Sequence, residues 1–237
     1  MSTKPALLLF GASGSIGNAI YQKFISKGWH VIRIIRKADN KSLMSNSEDI
    51  VWDPICKKIP LQLKKVARID AICWAQGINL SDSIEEFCLE EHYKLYQANV
   101  IYILVSLNQI INSGLLKVPT RLCIISSIWQ NISRLKKLSY AVSKSALQGL
   151  VLSLANDLAD RGHLVNAILP GAIDTPMTKS NLSNEQIETI KKATGFNRLV
   201  TLNDVSNITF YLCSPENSGI TGQFIKVDLG YSDVRNF

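Results

Sequence analysis

Short runs of consecutive apolar residues alternate with longer segments of helical periodicity along the chain. The strand candidates are residues 6–10, 30–35, 49–52, 70–75, 121–126, 164–169 and 224–227. The helical candidates are residues 15–27, 90–112, 139–160 and 203–213. Strands that are apolar throughout are typical of a parallel sheet covered on both faces. The pattern therefore predicts an α/β fold, a doubly wound parallel sheet of about seven strands with helices on both faces.

Length and composition are those of an ordinary globular protein. The chain has 237 residues, of which 46% are hydrophobic and 19% charged, and it contains no repeat or linker-like tract. We therefore expect a single domain over residues 1–237. No apolar run is long enough to cross a bilayer, and the first one leads directly into a glycine-rich loop. We expect a buried first strand and a cytoplasmic protein that does not bind membranes.

The net charge of +7 permits an acidic partner such as nucleic acid, a phosphorylated cofactor or an acidic carrier protein. The lysines are scattered in pairs without interleaved aromatic residues, so we expect no nucleic-acid binding. The five cysteines and three histidines lack the spacing of metal ligands. We expect no metal, and we expect the cysteines to be reduced core residues.

The sequence FGASGSIG, residues 10–17, follows the first strand and opens the first helix. In this context Gly11 allows a sharp turn, and Gly17 allows the helix to pack closely on the sheet. Free N–H groups at the helix start would then face a pyrophosphate, which predicts a Rossmann-type dinucleotide-binding loop. A tight turn without a ligand is the alternative. The predicted contacts are Gly11, Ser13, Ser15, Ile16 and Gly17.

The end of the second strand distinguishes the two nicotinamide cofactors. An acidic residue there would bind the ribose hydroxyls of NAD, but the chain has Ile35 followed by Arg36. A guanidinium suits a phosphate, so we expect NADP(H) rather than NAD(H). The alternative is that Arg36 and Lys37 only end the strand in solvent.

Tyr140 is the one tyrosine of the chain with a lysine four residues later, Lys144. On a helix the two residues share a face. A nearby cation favours phenolate and would lower the phenol pKa toward neutrality. We expect Tyr140 to act as a proton donor to a carbonyl oxygen.

These motifs, in this order, resemble those of the short-chain dehydrogenases/reductases, and the resemblance covers nearly the whole chain. It implies a carbonyl-polarising role for Ser127, thirteen positions before Tyr140, with Ser126 as the rival. It also implies that Asn99 supports a proton relay to Lys144. The further cofactor contacts that it implies are Asp53, Ala75, Gly77, Pro170, Gly171, Ile173 and Thr175, besides Tyr140 and Lys144. The closing segment of the family usually lies in subunit contacts, which implies a homotetramer or dimer.

Four residues depart from the family pattern. Ser15 replaces a glycine beside the pyrophosphate, and Phe10 replaces a threonine. Trp74 and Ala75 replace an asparagine pair that braces the sheet, and Gln76 is the candidate to compensate.

Residues 175–198 are expected to form a short lid over the substrate, with a helix over 184–192. The lid is similar to that of the 3-oxoacyl-carrier-protein reductases, and Lys117, Arg121 and Lys179 are expected to attract an acidic carrier. The alternative substrate is a sugar or polyol-like carbonyl, bordered by Trp129, Gln130 and Asn131. The expected function is NADP(H)-dependent reduction of a ketone to a secondary alcohol, or the reverse. The alternative from a different functional class is a non-catalytic protein, a regulator or scaffold that binds the dinucleotide without turnover.

Overall fold

Apolar strands form the centre of the molecule. The computed structural model describes residues 4–36, 48–116 and 119–234. Its strands are β1 (Ala6–Phe10), β2 (His30–Ile35), β3 (Glu48–Val51), β4 (Ala71–Trp74), β5 (Arg121–Ile125), β6 (Leu164–Pro170) and β7 (Phe224–Val227). They pair in parallel in the order β3-β2-β1-β4-β5-β6-β7. The predicted doubly wound parallel sheet is confirmed, and no strand limit differs from its prediction by more than one residue.

Helices follow the strands and cover the sheet. Within the described residues they are α1 (Ser15–Ser26), α2 (Leu61–Lys64), α3 (Leu89–Tyr96), α4 (Tyr102–Asn112), α5 (Leu138–Asp157), α6 (Pro176–Asn181), α7 (Asn184–Ala193) and α8 (Leu202–Cys213). The predicted helix over 90–112 is interrupted, because Gln97–Ile101 form a π-helical turn between α3 and α4. The apolar periodicity missed α2 and α6, which are too short to show it. In the described part of the chain, no helix has the length and hydropathy of a membrane span.

Every residue of strand β1 is apolar, because both of its faces are buried. Leu8 and Phe10 belong to the core cluster on one face of the sheet, and Leu7 and Leu9 belong to the cluster on the other. Successive side chains of a strand point to opposite faces, so both sets must be apolar when both faces are covered. All four side chains are completely buried.

Two of the family departures lie side by side in this core. The Phe10 ring stacks on the Trp74 ring with 5.7 Å between their centroids and 7° between their planes. The indole nitrogen of Trp74 donates to the Ser106 hydroxyl at 2.9 Å. Aromatic packing therefore braces β1 against β4, and the hydrogen bond joins β4 to α4, where the family uses asparagines.

The cysteines divide into two groups. Cys73, Cys123 and Cys213 are buried, as predicted for core residues, but Cys56 and Cys88 are exposed. The prediction of a core location was therefore wrong for these two, because both lie in connections between elements rather than in a strand or helix.

We expect Trp74→Ala to lower the free energy of unfolding by about 3–5 kcal/mol, because it leaves a cavity beside Phe10 and removes the bond to Ser106. Chemical denaturation measures the loss. The control is Leu135→Ala, whose side chain is 89% exposed and which should change stability by less than about 0.5 kcal/mol. Equal stability of the two variants would contradict the role of Trp74.

Candidate active site

The predicted site residues gather at the carboxyl ends of the strands, in a central cleft of about 390 Å³. β1 lies between β2 and β4, so the winding of the chain reverses beside it, where doubly wound folds bind ligands. The predicted residues that line the cleft are Gly11, Ser13, Ser15, Ile16, Arg36, Ala75, Gly77, Ser127, Tyr140, Lys144, Pro170, Gly171, Ile173 and Thr175. Gly17, Asp53 and Asn99 are not among the lining residues.

The glycine loop brings the start of α1 close to the sheet. Gly11 has a φ of +76°, and a Cβ there would overlap the backbone of Gln76. A Cβ on Gly17 would overlap the carbonyl group of Gly11. Both positions therefore require glycine for close approach, and Gly17 acts through packing rather than by bordering the cleft.

The first turn of α1 faces the cleft without a capping group. Gly14 is the N-cap, no side chain caps the helix, and the first turn contains no acidic residue. Ser15, the departure from the family pattern, lies at this helix start and is exposed. Uncapped N–H groups and an exposed hydroxyl form a site suited to an anion such as phosphate.

The two rival serines after β5 have different partners. The Ser126 hydroxyl donates to the side-chain oxygen of Gln130 at 2.8 Å. The Ser127 hydroxyl accepts from the Trp129 backbone N–H at 3.3 Å and lies near enough to Tyr140 to lower the pKa of its phenol. The geometry therefore favours Ser127 as the partner of Tyr140.

Burial sets the protonation of Tyr140. It raises the pKa of the phenol to about 12, although Ser127 acts in the opposite direction. The predicted lowering of this pKa is not found, because desolvation of the phenolate outweighs the opposing effect of Ser127. The phenol keeps its proton at neutral pH, as a general acid must.

Lys144 and Asn99 lie beside Tyr140. The Lys144 ammonium is 5.7 Å from the centre of the Tyr140 ring and donates to the Ile125 carbonyl at 3.1 Å. Burial lowers the pKa of Lys144 to about 8. The Asn99 side chain accepts from the Ile78 N–H at 2.9 Å and donates to the Ser143 hydroxyl at 3.0 Å.

Gly77 shows how closely these groups meet. A Cβ on Gly77 would lie 3.2 Å from the Asn99 side-chain oxygen and 3.7 Å from the Lys144 nitrogen. Asn99 itself sits in the π-helical turn, a local feature frequent at functional sites. The turn therefore places the amide behind Lys144, and the relay role stays a prediction.

The predicted nucleotide end of the cleft contains Arg36 but not Asp53. Arg36 follows β2 and is exposed. The Asp53 carboxylate accepts from the Ile55 N–H at 3.1 Å, so it stabilises a turn. Burial raises the pKa of Tyr102, Asp53 raises it further and Arg36 lowers it. Asp53 is thus near the cleft wall formed by Tyr102, and its adenine-binding role stays a prediction.

Thr175 begins the lid. Its hydroxyl accepts from the Thr178 N–H at 3.3 Å and caps α6. The predicted lid helix is confirmed as α7, which a capping box from Ser183 begins. The cofactor-binding role of Thr175 stays a prediction, and the observed role of its hydroxyl is to start the lid.

One residue of the predicted basic approach for an acidic carrier lies in the wrong place. Arg121 begins β5, at the edge of the sheet opposite the cleft, and its guanidinium donates to the Asn217 carbonyl at 2.9 Å. Lys179 is paired with Asp174 at 2.8 Å. Lys117 and Lys37 lie outside the described residues. The predicted basic approach does not form at Arg121, and the role of Lys179, whose side chain is exposed, stays a prediction.

Residues 129–131 contribute less to the cleft than predicted. Trp129 borders it, but neither Gln130 nor Asn131 does. The Gln130 amide is buried against Ser126 instead, and Asn131 is exposed. The predicted pair of amides beside the substrate is therefore wrong.

Lys137 is a functional candidate that sequence analysis missed. Its ammonium is buried, lines the cleft and lies 5.3 Å from the centre of the Tyr140 ring. Burial and repulsion from Arg134 lower the pKa of Lys137 to about 8, although Asp82 acts in the opposite direction. The sequence does contain a sign of this contact. Lys137 comes three residues before Tyr140, and that spacing also brings helical side chains together.

Gln76 is the second candidate that was missed. Both polar atoms of its side-chain amide are buried and have no hydrogen-bond partner among the residues that the structure describes. Gln76 lines the cleft next to Ala75 and Gly77. The prediction that Gln76 compensates for the missing asparagines is therefore wrong, because its amide forms no hydrogen bond to the described part of the sheet. A buried amide without partners points to a ligand with polar groups.

Comparisons with known proteins agree with this geometry. A family model described as enoyl-(acyl carrier protein) reductase matches residues 11–232. The 3-oxoacyl-(acyl-carrier-protein) reductase of Rickettsia felis is 31% identical, over 94% of this chain and 95% of its own length. The glucose 1-dehydrogenase of Gluconobacter oxydans is 26% identical, over 97% of this chain and 94% of its own.

Solved structures share the fold. The ligand-free aldohexose dehydrogenase of Thermoplasma acidophilum superposes with a TM-score of 0.85 at 23% identity, covering 99% of this chain and 96% of its own. A variant of the actinorhodin polyketide ketoreductase with NADPH has a TM-score of 0.85 at 21% identity, covering 99% of this chain and 100% of its own.

We expect Gln76→Leu to raise the free energy of unfolding of the ligand-free protein by about 1–2 kcal/mol, because it removes a buried amide that has no partner. The matched control is Gln130→Leu, which should lower stability because it leaves the Ser126 hydroxyl unpaired. Urea unfolding of both variants measures the difference. A loss of stability in Gln76→Leu would show that the amide is satisfied.

Proposed function

The chain belongs to the short-chain dehydrogenase/reductase family, and we propose that it is an NADP(H)-dependent oxidoreductase that reduces a ketone to a secondary alcohol, or catalyses the reverse. One observation carries the proposal: Ser127, Tyr140 and Lys144 line the same cleft as the glycine loop. If the glycine loop were only a tight turn without a ligand, these three side chains would not need to line the cleft beside it. The proposal treats residues 1–237 as one catalytic domain.

The cleft residues fit a dinucleotide. Gly11 and Gly17 leave a cradle that a Cβ would fill, and the start of α1 has no side-chain cap. The unpartnered Gln76 amide faces the same space. Arg36 borders the cleft after β2, where a guanidinium favours the 2′-phosphate of NADP(H). The ketoreductase neighbour solved with NADPH supports this choice.

The chain supplies proton transfer and positioning. A nicotinamide cofactor held along the glycine loop and Arg36 would supply the hydride for the carbonyl carbon. Tyr140 donates its proton to the carbonyl oxygen, and its raised pKa keeps that proton available at neutral pH. Ser127 donates a hydrogen bond to the same oxygen as negative charge develops on it. Lys144 is still largely charged at pH 7, and its ammonium favours the phenolate that remains after proton transfer.

A 3-oxoacyl-carrier-protein or similar carbonyl compound is the first candidate substrate, because relatives of similar length are named for it. A sugar or polyol-like carbonyl is the second. Two similar proteins are named as sugar dehydrogenases, and Asn79, Thr178 and Asn181 line the cleft with polar groups. We retain the homotetramer or dimer and the cytoplasmic location as proposals. The half-buried side chains of the edge strand β7 support a subunit contact.

We expect Tyr140→Phe to lower kcat by at least about 100-fold while leaving the Kd for NADPH within about threefold, because only the proton donor is removed. A fluorescence titration with NADPH, followed by a panel of 3-oxoacyl thioesters, sugars and ketones, measures both. Tyr93→Phe is the control, since Tyr93 is 63% exposed. Substantial turnover by Tyr140→Phe would contradict the proton-donor role. If the unmodified protein binds NADPH but no compound of the panel causes NADPH to be oxidised, the result would favour the alternative of a dinucleotide-binding regulator without turnover.

We expect Arg36→Ala to weaken NADPH binding by at least about tenfold and to leave NADH binding unchanged, because one charge-assisted contact to the 2′-phosphate is lost. Titration of the variant with both nucleotides measures the effect. Arg161→Ala is the control, since Arg161 follows α5 and pairs with Asp160 at 3.7 Å in solvent. Equal loss with both nucleotides would remove the 2′-phosphate assignment.

A further inference from the structure

The central cleft carries charge of one sign. Among the described residues that line it are four cationic side chains, Arg36, Arg134, Lys137 and Lys144, and no aspartate or glutamate. Arg36 and Lys144 have roles in the proposed function. Arg134 and Lys137 have none, although they border the part of the cleft next to the Tyr140 ring.

Lys137 occupies a place that is unfavourable for a cation. Its residue is 3% exposed and forms the N-cap of α5, where the helix dipole opposes positive charge. The ammonium donates to the Asn79 side-chain oxygen at 2.6 Å and to the Leu80 carbonyl at 3.3 Å. Two of its three donors are thus used, and both acceptors are neutral.

The charged groups around Lys137 do not neutralise it fully. Asp82 acts on Lys137 as a counter-charge, but its carboxylate accepts from the backbone N–H and the hydroxyl of Ser139. Arg134 repels the Lys137 ammonium, and the Lys144 ammonium is also close to the Tyr140 ring. A buried cation with incomplete compensation is stabilised by an anion that reaches it.

Arg134 adds a second cation at the cleft. Its guanidinium lies 5.8 Å from the centre of the Trp129 ring, and one nitrogen donates weakly to the Leu135 carbonyl at 3.4 Å. No carboxylate within the described ranges pairs with it in an ion pair. Trp129 and Arg134 also line a neighbouring cavity of about 440 Å³, which gives room for a larger substrate.

We propose that the substrate carries a carboxylate or phosphate within a few bonds of its reacting carbonyl, and that this anion binds between Lys137 and Arg134. The inference rests on the proposed function and narrows its substrate. A carbonyl oxygen held by Ser127 and Tyr140 lies near Lys137, because the ammonium is 5.3 Å from the tyrosine ring centre. An oxo acid or a phosphorylated carbonyl compound fits this arrangement. A neutral thioester group places no charge beside the carbonyl.

The test measures binding without turnover. The protein is saturated with NADP⁺, which cannot reduce a ketone, and is titrated calorimetrically with two pairs of compounds that share a ketone and differ in whether they carry an anionic group. The pairs are acetoacetate with ethyl acetoacetate, and dihydroxyacetone phosphate with dihydroxyacetone. We expect the charged member of at least one pair to bind at least about tenfold more tightly than its neutral partner.

Neighbouring residues supply the matched variants. Lys137→Met and Arg134→Met should each reduce this preference by about tenfold, with Kd for NADP⁺ within about threefold of the unmodified protein. Lys136→Met should preserve the preference, because Lys136 is exposed and pairs with Glu86 at 3.0 Å. Arg134→Met keeps the test decisive if Lys137→Met does not fold, since Arg134 is only half-buried.

The outcomes separate the inference from the proposed function. Failure of the unmodified protein to bind NADP⁺ or NADPH would overturn both. Normal cofactor binding with equal affinity for charged and neutral compounds, or with no compound bound more tightly than about 10 mM, would overturn the inference alone. A preference for anions that survives in both methionine variants would also overturn it.

Discussion

Parallel pairing of the seven strands is the constraint on which the site depends. Because every strand runs in the same direction, the chain leaves the sheet at one edge each time, and the residues after β1, β4, β5 and β6 meet there. Both faces of such a sheet must be covered, which accounts for strands without polar alternation. The burial that stabilises the fold and the position of the cleft are thus two results of one strand arrangement.

Strands and motifs were predictable because they depend on local patterns. β1, β2 and β7 have the predicted limits, and the glycine loop lies at the predicted strand-to-helix turn. The π-helical turn at Asn99 was not predictable, because its backbone hydrogen bonds do not change the apolar periodicity of the segment. The failure of Arg121 as a substrate contact has a similar cause. A residue at the start of a strand lies at the opposite edge of the sheet from one at its end, and charge in the sequence does not show which edge is used.

The electrostatics of the site depend on burial more than on pairs of charges. A cation four residues from a tyrosine suggests a lowered phenol pKa, yet desolvation raises that of Tyr140 and lowers those of Lys137 and Lys144. Each shift favours the neutral form of its group. Near pH 7 the phenol is protonated and the lysines remain mostly charged, a combination suited to donating a proton to a carbonyl. Burial is a property of the assembled fold, so the direction of these shifts was not readable from spacing.

The Phe10 and Trp74 stack has a consequence for how relatedness is judged. In the family pattern the first position is a threonine and the second belongs to an asparagine pair, so each residue seems foreign when its column is scored alone. In the folded protein the two rings lie 5.7 Å apart on adjacent strands. The two departures thus form one packed pair, and a comparison that weighs each position separately counts this pair as two differences.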